Sequence, residues 1–216
     1  RVSEAVERDA TGAAVRVTLI ETPSGTLRRQ QFAAGPMTEG AYASTLTSAT
    51  TSGSLLRTEE DLEILESVHA RTQAEDVEPF ARLDAEMGEC GIVQGEVLNP
   101  VNMAVRDTGA ENLMMSYMDY PEFARRLLAV YQKVALWQME ALLDAGARII
   151  YSDGVWCTTD LWSRAHIEDL IAPLIREQAD LAHQAGAYFH LFMDGNCMAA
   201  LDSIATMGVD ILSPLE

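Results

Sequence analysis

The sequence predicts an α/β fold in which short parallel strands alternate with helices. From residue 91 onward, four apolar runs alternate with three amphipathic segments, and each segment ends on Ala-Gly or Met-Gly before the next run begins. The apolar runs barely alternate with polar residues, which is typical of parallel strands covered on both faces. No G-x-G-x-x-G sequence follows any run, so we favour a (β/α)₈ TIM barrel over an open doubly wound sheet.

The length and the ends of the sequence predict only part of such a barrel. A complete (β/α)₈ barrel contains about 250 residues, whereas this chain has 216. Its first residue is Arg1, and its last residues, "DILSPLE", lie within a predicted strand. We therefore expect one domain over residues 1–216, a fragment that lacks the N-terminal and C-terminal parts of the barrel.

Before the alternating region, the sequence predicts a hairpin, a loop and two helices. In residues 13–32, "VRVTLI" and "TLRRQQF" flank the turn Thr22–Gly25 and predict two strands. Thr58 precedes a run of acidic residues, as at the start of a helix, and Gly88 is a typical residue at a helix C-terminus. The loop is predicted at 34–55 and the helices at 57–73 and 75–88.

In the alternating region, proline and glycine mark the helix ends. Pro121 stands in the first turn of the longest predicted helix and Gly146 at its end. Pro173 is predicted to bend the next helix. The strands are predicted at 91–97, 147–153, 187–194 and 209–216, and the helices at 121–146, 163–186 and 197–208.

The composition excludes several classes of partner. A net charge of −18 and a pI near 4.5 predict repulsion from nucleic acid and from anionic membrane surfaces. No apolar run reaches the length of a membrane span, and the first residues lack the pattern of a signal peptide. The three cysteines, Cys90, Cys157 and Cys197, are an odd number without CxxC spacing. They predict a reducing, cytoplasmic location rather than a disulfide scaffold.

Polar residues at the ends of the predicted strands form the candidate site, because ligands of parallel βα folds bind at the carboxyl ends of the strands. Asp153 and Asp194 are the predicted catalytic residues, since carboxylates there can act as acids, bases or cation ligands. Alternatively, Asp194 and Asn196 only begin the next helix. The predicted substrate-binding residues are Glu96, Asn99, Trp156, Asn196 and Glu216, and Cys157 and Ser213 lie at the same ends.

His190, the cysteines and the methionines have structural as well as functional interpretations. His190 lies four residues before Asp194, so both point to one side of a regular strand. There His190 is either a core residue or a metal ligand together with Asp194. Cys90 and Cys197 are predicted to be small buried residues. Met103 and the methionines of "NLMMSYM" are predicted to fill the core, although flexible methionines also suit a large apolar ligand.

Four segments of the sequence together resemble one superfamily of barrel enzymes. They are "IETPSGTLRRQ", "GECGIVQGEVLNPVNMAVRDTGAENLMMSYMDYPEFARRLL", "LLDAGARIIYSDGVW" and "HLFMDGNCMAALDSIATMGVDILSPLE". In order and spacing, they resemble the uroporphyrinogen decarboxylase superfamily from about residue 15 to the end. This superfamily also contains the corrinoid-linked methyltransferases. The resemblance implies a (β/α)₈ barrel and an enzyme of one of these two types.

The resemblance also bears on cofactors. Methyltransferases of this type bind zinc through a His-x-Cys-Gly motif, whose histidine and cysteine positions are occupied here by Phe192 and Asp194. Other members carry His-Ser-Asp-Gly-Asn, of which "FMDGN" keeps the Asp-Gly-Asn part but not the histidine. The resemblance therefore implies a functional Asp194, and any zinc would have non-standard ligands such as His190 and Asp194. Uroporphyrinogen decarboxylases need no cofactor.

The first functional hypothesis is a methyltransferase that acts on a small molecule with a corrinoid carried by a partner protein. The turn "TPSG" is similar to one that recurs early in these methyltransferases. The alternatives are a uroporphyrinogen decarboxylase of porphyrin metabolism and a non-catalytic tetrapyrrole-binding barrel. The tyrosine of the decarboxylases falls on Val105 or Arg106 here, and their arginine-rich motif would lie before Arg1. The departure at the tyrosine favours methyl transfer, whereas the arginine-rich motif lies outside this sequence and does not distinguish the two types of enzyme.

Overall fold

A computed structural model describes residues 2–8, 12, 14–32, 51–53, 56, 58–68 and 77–214. They belong to two compact units. The first comprises Arg1–His69 and Ala104–Leu127, and the second Ala70–Met103 and Leu128–Glu216. The loop predicted at 34–55 lies outside the described residues except at 51–53, and Glu216 lies outside them altogether.

The first unit contains an antiparallel sheet with the strand order β1-β2-β3-β4. The predicted hairpin is confirmed, and its turn is held by the hydroxyl of Thr22, which accepts hydrogen bonds from the backbone of Ser24 and Gly25 at 3.1 Å. Two short strands were not predicted, because β1 is mostly exposed and charged and β4 forms only by pairing with β3. The strands are β1 Val2–Arg8, β2 Ala14–Thr22, β3 Gly25–Phe32 and β4 Thr51–Gly53.

The first helix begins at the residue that the sequence predicted. The hydroxyl of Thr58 accepts a hydrogen bond from the backbone N–H of Asp61, and the carboxylate of Asp61 accepts one from the backbone of Thr58. This reciprocal cap satisfies two donors that a helix start otherwise leaves unpaired. The helices are α1 Glu59–Val68, α2 Glu78–Met87, α3 Pro100–Thr108, α4 Ala110–Asp119, α5 Pro121–Asp144, α6 Arg164–His166, α7 Ala172–Gln184 and α8 Leu201–Ile204.

The second unit contains the parallel sheet that the alternating pattern predicted. Its strands are β5 Gly95–Leu98, β6 Ile149–Asp153, β7 Tyr188–Phe192 and β8 Ile211–Ser213. They are all parallel and lie in the order β5-β6-β7-β8. Each strand thus pairs with the next one along the chain, as in a barrel, whereas a doubly wound sheet reverses its order.

Several predicted boundaries were wrong. The strand predicted at 91–97 begins only at Gly95. Helices α3 and α4 were not predicted at all; α3 starts at Pro100, where the side chain of Asn99 accepts a hydrogen bond from the backbone of Val101 at 3.0 Å. Gly109, with a φ of +87°, separates α3 from α4. The helix predicted at 197–208 is only a 3₁₀ turn followed by α8.

Glycine marks two helix ends, and proline accompanies an irregular turn in the segment predicted to bend. Gly146 and Gly186 have φ values of +95° and +77°, which residues with a Cβ atom rarely adopt, and they end the helical segments as predicted. A π-helical turn at Ile167–Ile171 precedes α7, whose first turn contains Pro173. Because proline has no N–H to donate, the regular pattern is interrupted at this point.

The two faces of the parallel sheet differ in burial, so the prediction that both are covered was wrong. Val97, Ile150, Ser152 and Leu191 point towards the helices and are at most 2 % exposed. The opposite face is more polar and less buried. Residues that are in register on neighbouring parallel strands have their side chains on the same face of the sheet. The residues of this polar face are Glu96, Leu98, Ile149, Tyr151, Asp153, Tyr188, His190, Phe192, Ile211 and Ser213.

The predictions for cysteine and methionine were partly wrong. Cys197 is buried as predicted, but Cys90 is exposed, because it lies in an exposed 3₁₀ turn after α2. Met103 is buried, whereas Met115 and Met118 are 53 % and 63 % exposed on α4. The methionine-rich segment thus fills the core only in part.

Candidate active site

The carboxyl ends of three strands are joined directly by backbone hydrogen bonds. The N–H of Asn99, after β5, donates to the carbonyl of Asp153 at 3.1 Å. The N–H of Gly154, after β6, donates to the carbonyl of Phe192 at the end of β7 at 2.9 Å. These bonds fix the loops that carry the predicted site residues at one edge of the sheet.

Asp153 is the most unusual carboxylate at this edge. It is half-buried, and its Oδ1 atom is inaccessible to solvent and has no hydrogen-bond partner among the described residues. Burial raises the pKa of this carboxyl above its ordinary value, and the charge of Asp194 adds to the increase. The backbone of Val155 and the amide of Asn102 act in the opposite direction. The amide Nδ2 of Asn102 has no other hydrogen-bond partner among the described residues.

Asp194 is exposed and lies two residues beyond the end of β7. Its charge acts on Asp153, so the structure brings the two predicted catalytic residues to the same edge. The even spacing puts His190 and Asp194 on one side only while the strand stays regular, and β7 ends at Phe192, before Asp194. Asp194 therefore belongs to the loop after the strand.

Asn99 and Cys157 are buried next to the site and are linked by a hydrogen bond. Asn99 is 1 % exposed; its amide donates to the hydroxyl of Ser152 at 3.4 Å, and its Oδ1 accepts from the backbone of Val101 and from the thiol of Cys157. Burial raises the pKa of the Cys157 thiol far above its usual range, so it stays protonated. Asn99 therefore helps to position the loop after β5, and its contact with substrate stays a prediction.

Trp156 and Asn196 hold the loops after β6 and β7. The backbone N–H of Trp156 donates to the side chain of Asn102 at 3.1 Å, and its carbonyl accepts from the indole of Trp162 at 2.8 Å. Its own indole is half-buried. The side chain of Asn196 accepts a hydrogen bond from the backbone of Met198 at 2.9 Å and thereby starts the next 3₁₀ turn. For Asn196, the structural alternative thus accounts for the side chain.

A row of three side chains crosses the polar face next to this edge. Glu96, Tyr151 and His190 are in register on β5, β6 and β7. The rings of Tyr151 and His190 meet edge to face with centroids 5.0 Å apart. Burial, together with the charges of Asp153 and Glu96, raises the pKa of Tyr151 to about 12, so its hydroxyl remains a donor at neutral pH. Glu96 is exposed and borders a cavity of about 370 Å³ whose polar residues include Gln94 and Gln138.

His190 has partners on both ring nitrogens. Its Nδ1 lies 2.8 Å from Oε1 of Gln94 and its Nε2 lies 2.6 Å from the hydroxyl of Ser213. The ring is 8 % exposed, and burial lowers its pKa. Among the residues that the structure describes, no three His, Cys, Asp or Glu side chains are grouped as a metal site. These residues do not fit a zinc ion held by His190 and Asp194.

Sequence reasoning missed Tyr151, Gln94, Asn102 and Ser152. Tyr151 had a usable signal, because it precedes Asp153 by two residues and must share its face of the strand. Asn102 follows Asn99 by three residues, which places both on one side of a helix start. Gln94 and Ser152 gave no such signal, since their partners lie far away in the sequence.

A four-stranded parallel sheet in sequential strand order, with helices between its strands, is part of a (β/α)₈ barrel. Residues 53–214 match the uroporphyrinogen decarboxylase (URO-D) family, and the chain belongs to this family. The superfamily prediction is thereby confirmed. Among the described residues, no helix has the length and apolarity needed to cross a membrane.

A solved structure supports the fold. A methyltransferase from Methanosarcina mazei superimposes with a TM-score of 0.57 at 18% sequence identity, over 65% of this chain and 40% of that chain. At this identity the similarity shows the fold alone. This chain matches less than half of the length of that methyltransferase. No curated protein matches the sequence.

Proposed function

We propose that the protein is a methyltransferase that takes a methyl group from a corrinoid carried by a partner protein and transfers it to a small molecule. Membership of the URO-D family and the fold shared with a methyltransferase support this proposal. The observation that carries it is the pair Asp153 and Asp194, which places one partly buried and one exposed carboxylate at the carboxyl edge of the barrel strands.

The pair is suited to activate a methyl acceptor. A thiol acceptor must lose its proton to attack the methyl carbon, and a nearby carboxylate can take that proton. Asp153 is half-buried, and because its Oδ1 is inaccessible, the acceptor would have to approach the other carboxyl oxygen. The raised pKa of Asp153 makes it a stronger base than an ordinary aspartate. Asp194, being exposed, is placed to orient the acceptor.

Methyl transfer from methylcobalamin to a small thiol tests the proposal, with the loss of the methylcobalamin absorbance as the readout. We expect Asp153→Asn to lower the rate by roughly 10²–10⁴-fold, the range for loss of a general base. Asp194→Asn should lower it less. Asp202→Asn is the matched control, because Asp202 is 90% exposed and lies on helix α8, where it faces Arg164. No transfer by the native protein, or full transfer by Asp153→Asn, would overturn the proposal.

One observation also favours the decarboxylase alternative. A carboxyl with a raised pKa and an unpartnered oxygen can deliver a proton to carbon or accept a hydrogen bond from a pyrrole N–H. Incubation with uroporphyrinogen separates the alternatives. Release of CO₂ that Asp153→Asn abolishes would select decarboxylation, and tetrapyrrole binding without any turnover would select a binding barrel.

A further inference from the structure

We propose that Ser213, His190 and Gln94 form a second site, in which Ser213 is a nucleophile that hydrolyses esters with uncharged or cationic acyl groups. The three side chains are linked in one chain of contacts, Gln94 to Nδ1 and Ser213 to Nε2 of His190. A serine, a histidine that takes its proton and a third group that orients the histidine are the parts that nucleophilic acyl transfer needs. This site shares the polar face of the sheet with Asp153, but the proposal does not rest on the proposed methyl transfer.

The fold places Ser213 beside His190. Ser213 lies on β8 in register with Phe192, and Ile211, two residues before it, is in register with His190. The side chains of Ser213, Phe192 and His190 therefore share the polar face of the sheet. The contact of 2.6 Å between the hydroxyl and Nε2 is within the range required of a nucleophile and its base. Ser213 is half-buried on this face, whereas the residues of the opposite face are packed against helices.

Gln94 determines which ring nitrogen carries the proton. An amide oxygen only accepts hydrogen bonds, so its contact of 2.8 Å requires a proton on Nδ1 of His190. In the neutral ring, Nε2 then has a lone pair directed at the hydroxyl of Ser213. Burial lowers the pKa of His190, so the ring is neutral at neutral pH and ready to accept a proton. Gln94 is therefore a positioning residue.

The reaction has two steps. In the first, the hydroxyl oxygen of Ser213 attacks the ester carbonyl carbon and its proton moves to Nε2 of His190. The ester C–O bond breaks, the alcohol leaves with the proton from Nε2, and an acyl-Ser213 ester remains. In the second step water attacks this ester, giving its proton to Nε2, and the carboxylic acid leaves as Ser213 regains a proton. No oxidant or cofactor is needed.

Neighbouring groups indicate the substrate class. The carboxylates of Glu96 and Asp153 lie on the same face as Ser213, and they repel an anionic acyl group. Tyr151 offers a hydroxyl on this face that stays protonated at neutral pH and can donate to the oxyanion. Uncharged and cationic esters fit these surroundings best.

Labelling of the whole chain with a fluorophosphonate, located by mass spectrometry, tests the proposal, together with p-nitrophenyl acetate hydrolysis. We expect one label per chain on Ser213, and we expect His190→Gln to slow labelling about 10²–10⁴-fold. Ser203→Ala is the matched control, because that hydroxyl bonds Glu168 instead of a histidine. Labelling at another residue, no labelling, or an unchanged rate in His190→Gln would overturn the proposal.

Variants of Gln94 keep the test decisive if His190→Gln does not fold. Gln94→Leu leaves both reacting side chains in place but removes the acceptor of the Nδ1 proton, so labelling should slow about tenfold or more. Gln94→Glu restores an acceptor and adds a charge that raises the histidine pKa. It should therefore restore labelling and shift the pH profile of the labelling rate upward. Equal rates and pH profiles in both Gln94 variants would show that Gln94 does not position His190.

Discussion

At the scale of single residues, the surroundings of Asp153 destabilise the charged form of its carboxyl group. Removing a carboxylate from water disfavours its charged form, and the neighbouring charge of Asp194 disfavours it further. The backbone of Val155 and the amide of Asn102 offset this only in part, and Oδ1 is left without a partner in the described structure. The same features that make Asp153 a good proton acceptor therefore reduce the stability of the fold at neutral pH.

The first prediction concerns the pH dependence of stability. The pKa of Asp153 in the folded protein lies above its ordinary value of 3.8, so the folded state binds this proton more tightly than the unfolded chain. The contribution of Asp153 to stability therefore falls as pH rises from 3.8 through the raised pKa, and it is lowest above that. Asp153→Asn should have a higher unfolding temperature than the native protein at neutral pH, with no difference at pH values below 3.8.

Thermal unfolding followed by circular dichroism across this pH range measures the effect. Asp202→Asn, on the exposed surface, should change stability by no more than about 0.5 kcal/mol at any pH. If Asp153→Asn were less stable than the native protein at neutral pH, the charged carboxylate would have to be held by contacts that outweigh its burial.

A series of buried hydrogen bonds next to the site gives a second prediction. The hydroxyl of Ser152 donates to Gln178 at 3.0 Å, and the amide of Gln178 donates to Gln132 at 2.9 Å, while Asn99 donates to Ser152. Ser152→Ala leaves two buried polar groups unpaired and should lower the free energy of unfolding by about 1–3 kcal/mol. Urea denaturation measures this, with Ser24→Ala in an exposed turn as the control. An unchanged urea midpoint for Ser152→Ala would mean that these buried hydrogen bonds add nothing to the stability of the protein.

At the scale of elements, the turn after β6 requires the backbone of Gly154 to lie close to the backbone of Phe192 at the end of β7. A Cβ atom on Gly154 would lie 2.7 Å from the carbonyl oxygen of Phe192, closer than such atoms normally come. The same carbonyl accepts the hydrogen bond from Gly154 that ties β6 to β7. Glycine is required here by contact with the next strand, because its φ of −108° suits any residue.

The third prediction is that Gly154→Ala separates the ends of β6 and β7. We expect a loss of about 1–3 kcal/mol of stability from overpacking, and a loss of methyl transfer, because Asp153 immediately precedes the turn. Gly146→Ala is the matched comparison, since it has a positive φ but no atom within 4 Å of the added Cβ. It should lose about 1–2 kcal/mol through backbone strain alone and keep its activity. Equal activities of the two variants would contradict the role of the Gly154 contact.

The same local signals explain what could be predicted from the sequence. Helix α5 and the strands β6 and β7 were predictable, because Pro121, Gly146 and Gly186 mark helix ends within a few residues of strong apolar patterns. Helices α3 and α4 were not, since each is only 9 or 10 residues long and Gly109 interrupts the pattern between them. The carboxylates of the site were predictable from their place after the strands. The contacts of Gln94 and Gln178 were not, because they join residues 96 and 46 positions apart.

At the scale of the whole molecule, the parallel sheet has two strands with one neighbour each. Within the described residues, β5 pairs only with β6, and β8 pairs only with β7. Unpaired backbone groups along a strand edge promote pairing with another chain. The net charge of −18 opposes such association, but salt screens this repulsion over about 8 Å at physiological ionic strength. Edge pairing therefore becomes stronger as salt is added.

The last prediction is that the 216-residue chain self-associates through β8. Sedimentation velocity in about 0.15 M salt should show association that increases with concentration. Ile211→Lys places a charge on this edge strand and should weaken association at least tenfold, because edge lysines block pairing. Tyr188→Lys changes the net charge equally and is also exposed, but it lies on the central strand β7 and should have little effect. Equal weakening of association by both variants would show that net charge, and not the β8 edge, controls association. A single monomeric species at all concentrations would mean that this edge is not available for pairing.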